Sequence, residues 1–384
     1  MRLALLRSSL LLCLVLGLLT SGCDLGTSSA RDSAQGPLGA GGYGNAGHSG
    51  SAGSSVGGGI TTSGPSVPVT FSMKGTNLAG AEFGSNLPGM YDIDYTYPTH
   101  AEVDYFVGKG MTALRMPFAW ERLQPALSAS LDATEQARVD DFVSYATGKG
   151  AYVILDPHNY ARYQSDAATG PVLIGAAGGP TNADFADLWS RLAALYAAND
   201  HVVFGLMNEP HDIGLGAWLT AANSAIDAIR AAGATNLILV PGTNWTGAAS
   251  WTDSNTGMLG TIDPLDHYVF EVHQYNDSDS SGNHSTCVSA TIGSERLQNF
   301  TEWLSENGKQ AVLGEFDGPN NDTCLSALDD MLNFIDAHTD SWVGWTYWAA
   351  GPWWGPQPAT DGSIIEPSGG TDAPQMPILV KHLP

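Results

Sequence analysis

Two glutamates, Glu209 and Glu315, have the type and placement needed for paired acid–base and nucleophilic chemistry. Glu209 lies in an Asn-Glu-Pro motif and Glu315 in Leu-Gly-Glu-Phe, each directly after a short apolar run. Two carboxyl groups that flank a glycosidic bond can hydrolyse it, one protonating the leaving oxygen and the other attacking the anomeric carbon. We expect Glu209 to be the general acid/base and Glu315 the nucleophile. A carboxyl separation of about 5–5.5 Å would give a retaining reaction.

Donor groups that could keep the nucleophile charged also stand near the ends of apolar runs. A guanidinium and a phenol both donate hydrogen bonds to a carboxylate and favour its ionised form. We therefore expect Arg115 and Tyr275 beside Glu315. Asn208, next to Glu209, offers an amide for a sugar 2-hydroxyl, a contact that can strengthen in the transition state.

Three further side chains follow this placement. His158 and His273 could bind sugar hydroxyls or orient the glutamates, and Trp348 offers a face on which a pyranose ring can stack. Each has a structural alternative, since a histidine after a strand is often a satisfied core group and a lone tryptophan usually packs. The Asn-Glu-Pro triplet alone arises by chance in about one chain in twenty. Only the joint placement after different runs carries weight.

The elements that must position these groups are eight short apolar runs separated by amphipathic stretches. Runs of this kind are typical of strands that are buried on both faces. The runs are Phe71–Leu78, Ala113–Pro117, Tyr152–Asp156, Val202–Met207, Leu237–Val240, Tyr268–Val272, Ala311–Gly314 and Trp342–Tyr347.

Helical patterns lie between the runs. The clearest follows Asn182, which we predict as its N-cap, and similar patterns cover Leu297–Leu304 and Leu325–Ile335. Strands that alternate with helices indicate a parallel sheet, and eight units favour a closed (β/α)8 TIM barrel over an open doubly wound sheet, which periodicity alone does not exclude. All strand C-termini of such a barrel open on one face, so the candidate residues would converge there.

The chain preceding the barrel divides into two segments. A positively charged start and an apolar run from Leu10 to Leu19, too short to span a bilayer comfortably, predict a signal peptide over residues 1–22. Residues 23–66 are rich in Gly and Ser and predict a disordered, flexible tether. A single catalytic domain is expected over residues 67–384.

Cysteine parity bears on the start of the mature chain. Cys13 would leave with the signal, so three cysteines remain. The sequence from Thr20 to Cys23 resembles the bacterial lipobox, in which the cysteine is lipidated. Lipidation of Cys23 would leave Cys287 and Cys324 to form a disulfide, which export permits. The alternative is an ordinary cleaved signal and a spare thiol.

The charge restricts the partners. The chain has 15 Lys and Arg against 39 Asp and Glu, a formal net charge of -24. A surface this acidic repels phosphate backbones and anionic lipid, so we exclude nucleic acid and expect membrane contact only through the lipid anchor. A neutral polysaccharide would not be repelled. We expect a monomeric extracellular or cell-surface protein.

Taken together, these motifs resemble glycoside hydrolase family 5, and most of all its cellulase (endo-β-1,4-glucanase) members, from about Val67 to Pro384. All eight familiar active-site positions of that family are filled. They are carried by Arg115, His158, Asn208 and Glu209, His273 and Tyr275, Glu315 and Trp348.

The resemblance implies a retaining mechanism on β-1,4-glucan without a metal or an organic cofactor. The segment from Lys74 to Gly84 resembles the first strand of these enzymes and adds Asn77 as a substrate-binding candidate. Trp245 and Trp251 follow the fifth run and are candidates for glucose stacking or for core packing. The same machinery acting on β-mannan, xylan or mixed-linkage glucan is an open alternative. A non-catalytic glycan-binding surface lipoprotein is another, although it would need neither glutamate.

Overall fold

The computed structural model describes residues 68–165, 168–354, 362–367 and 371–384. In these residues eight parallel strands form a closed barrel, each pairing with the next along the chain and the last with the first. The (β/α)8 prediction is confirmed, and the open sheet is wrong. The strands are β1 (Met73–Leu78), β2 (Ala113–Phe118), β3 (Tyr152–Pro157), β4 (Val202–Gly205), β5 (Ile238–Pro241), β6 (Tyr268–His273), β7 (Ala311–Glu315) and β8 (Trp342–Ala350).

Every predicted run is a strand, with ends shifted by a few residues. The shifts matter at the C-terminal mouth, because His273 and Glu315 are the last residues of β6 and β7 and do not follow them. Trp348 likewise lies within β8. The predicted signal peptide, tether and lipidation site at Cys23 lie outside the described residues.

Helices surround the barrel, and none of those in the described residues is long and apolar enough to cross a bilayer. The predicted N-cap Asn182 is wrong by one residue. Thr181 caps the helix, because its hydroxyl accepts a hydrogen bond from the backbone N–H of Asp184. The α-helices are His100–Gly108, Trp120–Leu123, Ala133–Gly148, Asn182–Tyr196, Leu215–Ala231, Trp251–Ser254, Ile292–Asn307, Asp322–Ala337 and Met376–Lys381.

Shorter elements and one cross-link complete the fold. Arg162–Tyr163 and Val172–Leu173 form a two-stranded antiparallel ribbon after β3. A disulfide joins Cys287, in the segment after β6, to Cys324, in the first turn of a helix after β7. In the described part of the chain, 3-10 helices cover Asn244–Thr246, Thr256–Gly260 and Pro352–Trp354.

The barrel interior is apolar at its base and charged above it. One buried cluster takes a side chain from every strand: Met73, Ala113, Ile154, Val203, Leu239, Val269, Val312 and Val343. Because successive side chains alternate across a strand, the residues two positions further along also point inward.

That next layer is charged and fully buried. It includes Arg115 on β2, Asp156 on β3 and Glu271 on β6. A glycine on β7 leaves room for one of these long side chains. A Cβ added at Gly314 would lie 2.4 Å from Glu271 Oε1, closer than any real contact allows.

Candidate active site

Glu209 and Glu315 meet at the C-terminal mouth of the barrel, with His273 between them. One carboxylate oxygen of each glutamate and one ring nitrogen of His273 all lie within 4.8 Å of one another. This spacing suits the about 5–5.5 Å of retaining glycosidases and is well below the about 6.5–9.5 Å of inverting ones. The structure therefore brings together the two carboxyl groups that the sequence pairs.

The backbone after β4 turns Glu209 toward this mouth. Asn208 N–H donates to the carbonyl of Pro157 at 2.9 Å, and Tyr160 N–H donates to the carbonyl of Asn208 at 3.1 Å. Glu209 itself has φ of 39°, in the left-handed region that non-glycine residues rarely adopt. The neighbouring β3 loop thus holds the acid in a conformation that costs backbone energy.

Arg115 is the cation at the centre of the site and is fully buried. Its Nη1 lies 3.1 Å from Glu315 Oε1 and 3.0 Å from Asp156 Oδ2, and its Nε donates to Glu271 Oε1 at 2.9 Å. Three carboxylates on three strands therefore share one guanidinium. The planar fork of arginine suits this arrangement, which a single ammonium group could not reproduce.

The other oxygen of Glu315 has its own donors. Tyr275 O–H donates to Oε2 at 2.8 Å, and His273 Nδ1 lies 3.5 Å from the same atom. His273 Nδ1 also lies 2.8 Å from Glu209 Oε1, so the imidazole connects the two glutamates. The expected placement of Arg115 and Tyr275 beside Glu315 agrees with these contacts.

Burial and charge act in opposite directions on these groups. Burial raises the pKa of Glu315, while His273 and Arg115 act to lower it. Desolvation disfavours the imidazolium of His273, but the surrounding carboxylates of Glu315, Glu209 and Glu271 outweigh it and raise its pKa to about 10. These carboxylates favour the protonated imidazole, whose Nδ1–H can donate a hydrogen bond to Glu209 Oε1.

His158 and Trp348 form a second part of the site. The imidazole stacks on the indole with ring centroids 5.4 Å apart, and its Nδ1 lies 2.8 Å from Asp156 Oδ2. Its Nε2 lies 3.0 Å from the Asn208 amide, whose carbonyl oxygen accepts from Arg115 at 2.9 Å. Asn208 is 1% exposed, so without substrate its amide orients His158 and Arg115.

Asn77 is a correction to the set of substrate-binding candidates. Its side chain is fully buried, Nδ2 donates to the carbonyl of Gly314 at 2.9 Å, and Oδ1 accepts from Arg115 Nη1 at 2.9 Å. Every polar atom of the amide is engaged by protein. Asn77 therefore joins β1 to β7 and holds Arg115, and it has no surface to offer a sugar.

A cleft of about 770 Å³ opens on one side of the glutamates. Its floor and walls include Tyr160, Glu209, His211, Trp245 and Tyr275. The Trp245 ring is 48% exposed and stacks on the imidazole of His211, with centroids 4.6 Å apart and planes 11° from parallel. Trp245 thus presents a rigid aromatic face to the cleft.

Trp251, the other aromatic candidate after β5, does not line the cleft. It is fully buried and packs against Phe270, Phe300 and Trp303 with centroid distances of 4.9–5.6 Å. The substrate-stacking alternative for Trp251 is wrong, because the residue begins a helix that turns its indole into the layer between barrel and helices. Core packing was the other alternative.

Among the residues that the structure describes, two groups of side chains have the composition of metal ligands. Glu209, His273 and Glu315 form the first, and Asp277, Asp279 and His284 the second. In the first, His273 already neutralises part of the carboxylate charge. In the second, Asp277 accepts from His284 Nδ1 at 2.8 Å and from the backbone N–H of Gly282 at 3.1 Å.

Sequence reasoning missed four residues of the site: Asp156, Glu271, Tyr160 and His211. A signal existed for the first two. Asp156 stands two positions before His158 and Glu271 two positions before His273, the spacing that puts both members of each pair on one face of a strand. Tyr160 and His211 lie on loops, where no periodicity identifies an inward side.

Comparison with known proteins agrees with this geometry. Residues 72–351 match the family model described as cellulase (glycosyl hydrolase family 5). Endo-beta-1,4-glucanase B of Aspergillus niger is 42% identical over 286 residues, which cover 74% of this chain and 83% of the relative.

Solved structures give the same result. The structure of XacCel5A in complex with cellopentaose is 44% identical, with a TM-score of 0.77, and the match covers 81% of this chain and 99% of that one. A crystal structure of an endo-beta-1,4-glucanase from Xanthomonas axonopodis pv. citri is 45% identical, also with a TM-score of 0.77, covering 82% and 98%.

Proposed function

The chain belongs to glycosyl hydrolase family 5, and we propose that it is a retaining endo-β-1,4-glucanase in which Glu315 is the nucleophile and Glu209 the general acid/base. The observation that carries the proposal is the approach of the two carboxylates to within 4.8 Å around His273. Relatives named as endo-β-1,4-glucanases support the substrate class.

The roles follow from the donors around each acid. Both oxygens of Glu315 accept hydrogen bonds from Arg115 and Tyr275, which favours the ionised, attacking form. Glu315 attacks the anomeric carbon while Glu209 protonates the leaving oxygen, so the glycosidic bond breaks and a glycosyl-enzyme forms. Glu209 then takes a proton from water, which attacks the same carbon and releases Glu315.

Two exposed aromatic side chains that follow different barrel strands support internal cleavage. Trp245 follows β5 and is 48% exposed, and Trp353 follows β8 and is 40% exposed. Trp353 packs against Phe83 with ring centroids 5.2 Å apart. A glucan that contacts both indoles would occupy several sugar subsites, as an endo-acting enzyme requires.

Product analysis on the full chain tests the proposal. With carboxymethylcellulose, viscosity should fall faster than reducing ends appear, and NMR of the first product should show the β-anomer. β-Mannan, xylan and mixed-linkage glucan test the alternative substrates. First-formed α-anomer would contradict the retaining assignment, and glucan binding without reducing-sugar release would favour a non-catalytic binder.

Two matched variants separate the roles of the acids. Glu209→Gln should retain kcat/KM on an aryl cellobioside with a good leaving group, because forming the glycosyl-enzyme then needs no proton, while kcat should fall because the second step lacks its base. Glu315→Gln should lose activity on both this substrate and glucan. Equal losses on the activated substrate would contradict the assignment.

We also propose that the chain is exported as a monomer and anchored by lipid at Cys23, with residues 23–66 as the tether. The disulfide between Cys287 and Cys324 supports export, because oxidising compartments favour such bonds. The mass of the mature N-terminus tests the anchor. An unmodified Cys23 would contradict it.

A further inference from the structure

Two strands of the barrel carry the same short pattern, an acid followed two positions later by a histidine. Asp156 and His158 occupy it on β3 and at its end, and Glu271 and His273 occupy it on β6. Both acids contact Arg115, and each histidine lies toward the mouth from its acid. A buried carboxylate thus underlies each histidine of the site.

In the pair of Glu271 and His273, the acid has no role in the proposed reaction. Glu271 is fully buried, and Oε1 accepts from Arg115 Nε at 2.9 Å. The same oxygen lies 3.7 Å from His273 Nε2. Within the described residues, neither His273 Nε2 nor Glu271 Oε2 has a hydrogen-bond partner. A carboxylate in this position costs desolvation energy that only its charge interactions with Arg115 and His273 offset.

The space for Glu271 is created by a glycine in the nucleophile strand. Any side chain at Gly314 would meet Glu271 Oε1 at 2.4 Å and its Cγ at 2.9 Å. Gly314 directly precedes Glu315, and the pairing between β6 and β7 shifts register there. The backbone that carries the nucleophile therefore fits around the Glu271 carboxylate.

We propose that Glu271 is a positioning residue, which holds Arg115 and the His273 ring against the two proposed catalytic glutamates from beneath the active site. This inference rests on the proposed function. Glu271 acts only through its neighbours, because it has no surface that a substrate could reach.

The charges that face His273 define what the loss of Glu271 should do. His273 is surrounded by Glu209 from the loop after β4, Glu315 from β7 and Glu271 from its own strand. Arg115, from β2, faces both Glu271 and Glu315. Removing one negative charge lowers the pKa of every neighbouring group, so both limbs of the pH profile should move in the same direction.

The first experiment uses Glu271→Gln, which keeps the shape and removes the charge. Both limbs of the kcat/KM profile should move about one unit toward acid, kcat should fall about tenfold or more, and KM should not change. The matched control is Glu102→Gln. Glu102 is a buried glutamate that caps the helix His100–Gly108, so both limbs of the kcat/KM profile of this variant should stay at the wild-type pH.

An NMR titration of His273 gives a readout that needs no substrate. The histidine should titrate at lower pH in Glu271→Gln than in the wild type. Unmoved limbs, with or without a loss of kcat, or an unchanged titration would overturn the inference. A wild type inactive on every glucan would contradict the proposed function instead, and the titration would still test Glu271.

The glycine gives a second test should Glu271→Gln fail to fold. Gly314→Ala should lower kcat at least about tenfold, because the new methyl group displaces the carboxylate from Arg115. Adding Gly314→Ala to the wild type should lower the free energy of unfolding more than adding it to the Glu271→Ala variant, because in that variant the space beside residue 314 is no longer filled by a carboxylate. Equal destabilisation in both backgrounds would overturn the proposed contact.

Discussion

The phenolic hydroxyl of Tyr275 donates a hydrogen bond to Glu315 at 2.8 Å, on the carboxylate oxygen that Arg115 does not contact. Each oxygen of the proposed nucleophile therefore has its own donor, one charged and one neutral. Such donors stabilise the ionised carboxylate and also fix the plane of its attack. They oppose the burial that raises the pKa of Glu315.

Tyr275→Phe should therefore move the acid limb of kcat/KM to higher pH. Losing the donor disfavours the carboxylate, so the pKa of Glu315 rises further and more of the enzyme is protonated at a given acidic pH. We expect kcat to fall about 10- to 100-fold. A pH–rate profile measures both effects.

The control for this change is Tyr163→Phe. Tyr163 is also a buried tyrosine, but its hydroxyl donates to the backbone carbonyl of Gln124 at 2.8 Å. Its acid limb should coincide with that of the wild type. An unmoved limb in Tyr275→Phe would mean that the hydroxyl does not stabilise the ionised nucleophile.

Replacing Trp245 should affect substrate binding and replacing Trp251 should affect stability, although both residues are tryptophans only six positions apart. Trp245→Ala removes an exposed face, so unfolding stability should change by less than about 0.5 kcal/mol while KM for long glucans rises several-fold. Trp251→Ala removes a buried indole and should cost about 3–5 kcal/mol. Denaturant unfolding and glucan kinetics measure the two. A KM effect confined to Trp251→Ala would reverse the assignment.

The buried carboxyl group of Asp317 should lower the free energy of unfolding as the pH rises from about 4 toward 7. Burial raises its pKa from 3.8 to about 7, despite a hydrogen bond from Ser363. The folded state then binds a proton that the unfolded state has lost. The stabilisation is complete below about pH 4 and is lost as the pH rises toward 7.

Asp317→Asn should flatten this dependence, because the amide carries no titrating proton. Relative to the wild type, the variant should gain up to about 4 kcal/mol between pH 4 and 8. Denaturant unfolding across that range measures it. The control is Glu302→Gln on the exposed face of the helix Ile292–Asn307. Parallel curves for Asp317→Asn and the wild type would contradict the prediction.

The sequence predicted well where local pattern and chemistry agree. Short apolar runs identified all eight strands, because a strand buried on both faces must be apolar along most of its length. Parallel strands in a closed barrel put their C-termini on one face, so Glu209 and Glu315 could be paired although far apart in the chain.

The tertiary structure decided which side chains reach the cleft and which serve the interior. Asparagine and tryptophan side chains often bind sugars. Here, however, the Asn77 amide is hydrogen-bonded to Arg115, and the Trp251 indole packs in the core. The sequence places Glu271 on the same strand face as His273, but only the structure shows that Arg115, Gly314 and His273 surround its carboxylate.

What the sequence by itself determined is the set of eight strands and the two candidate acids at their C-terminal ends, because strand periodicity and motif placement are local properties. What only the tertiary structure decided is the charge network beneath them. Contacts such as those of Arg115 with Asp156, Glu271 and Glu315 join three other strands. Their energies depend on burial and distance, which no local pattern encodes.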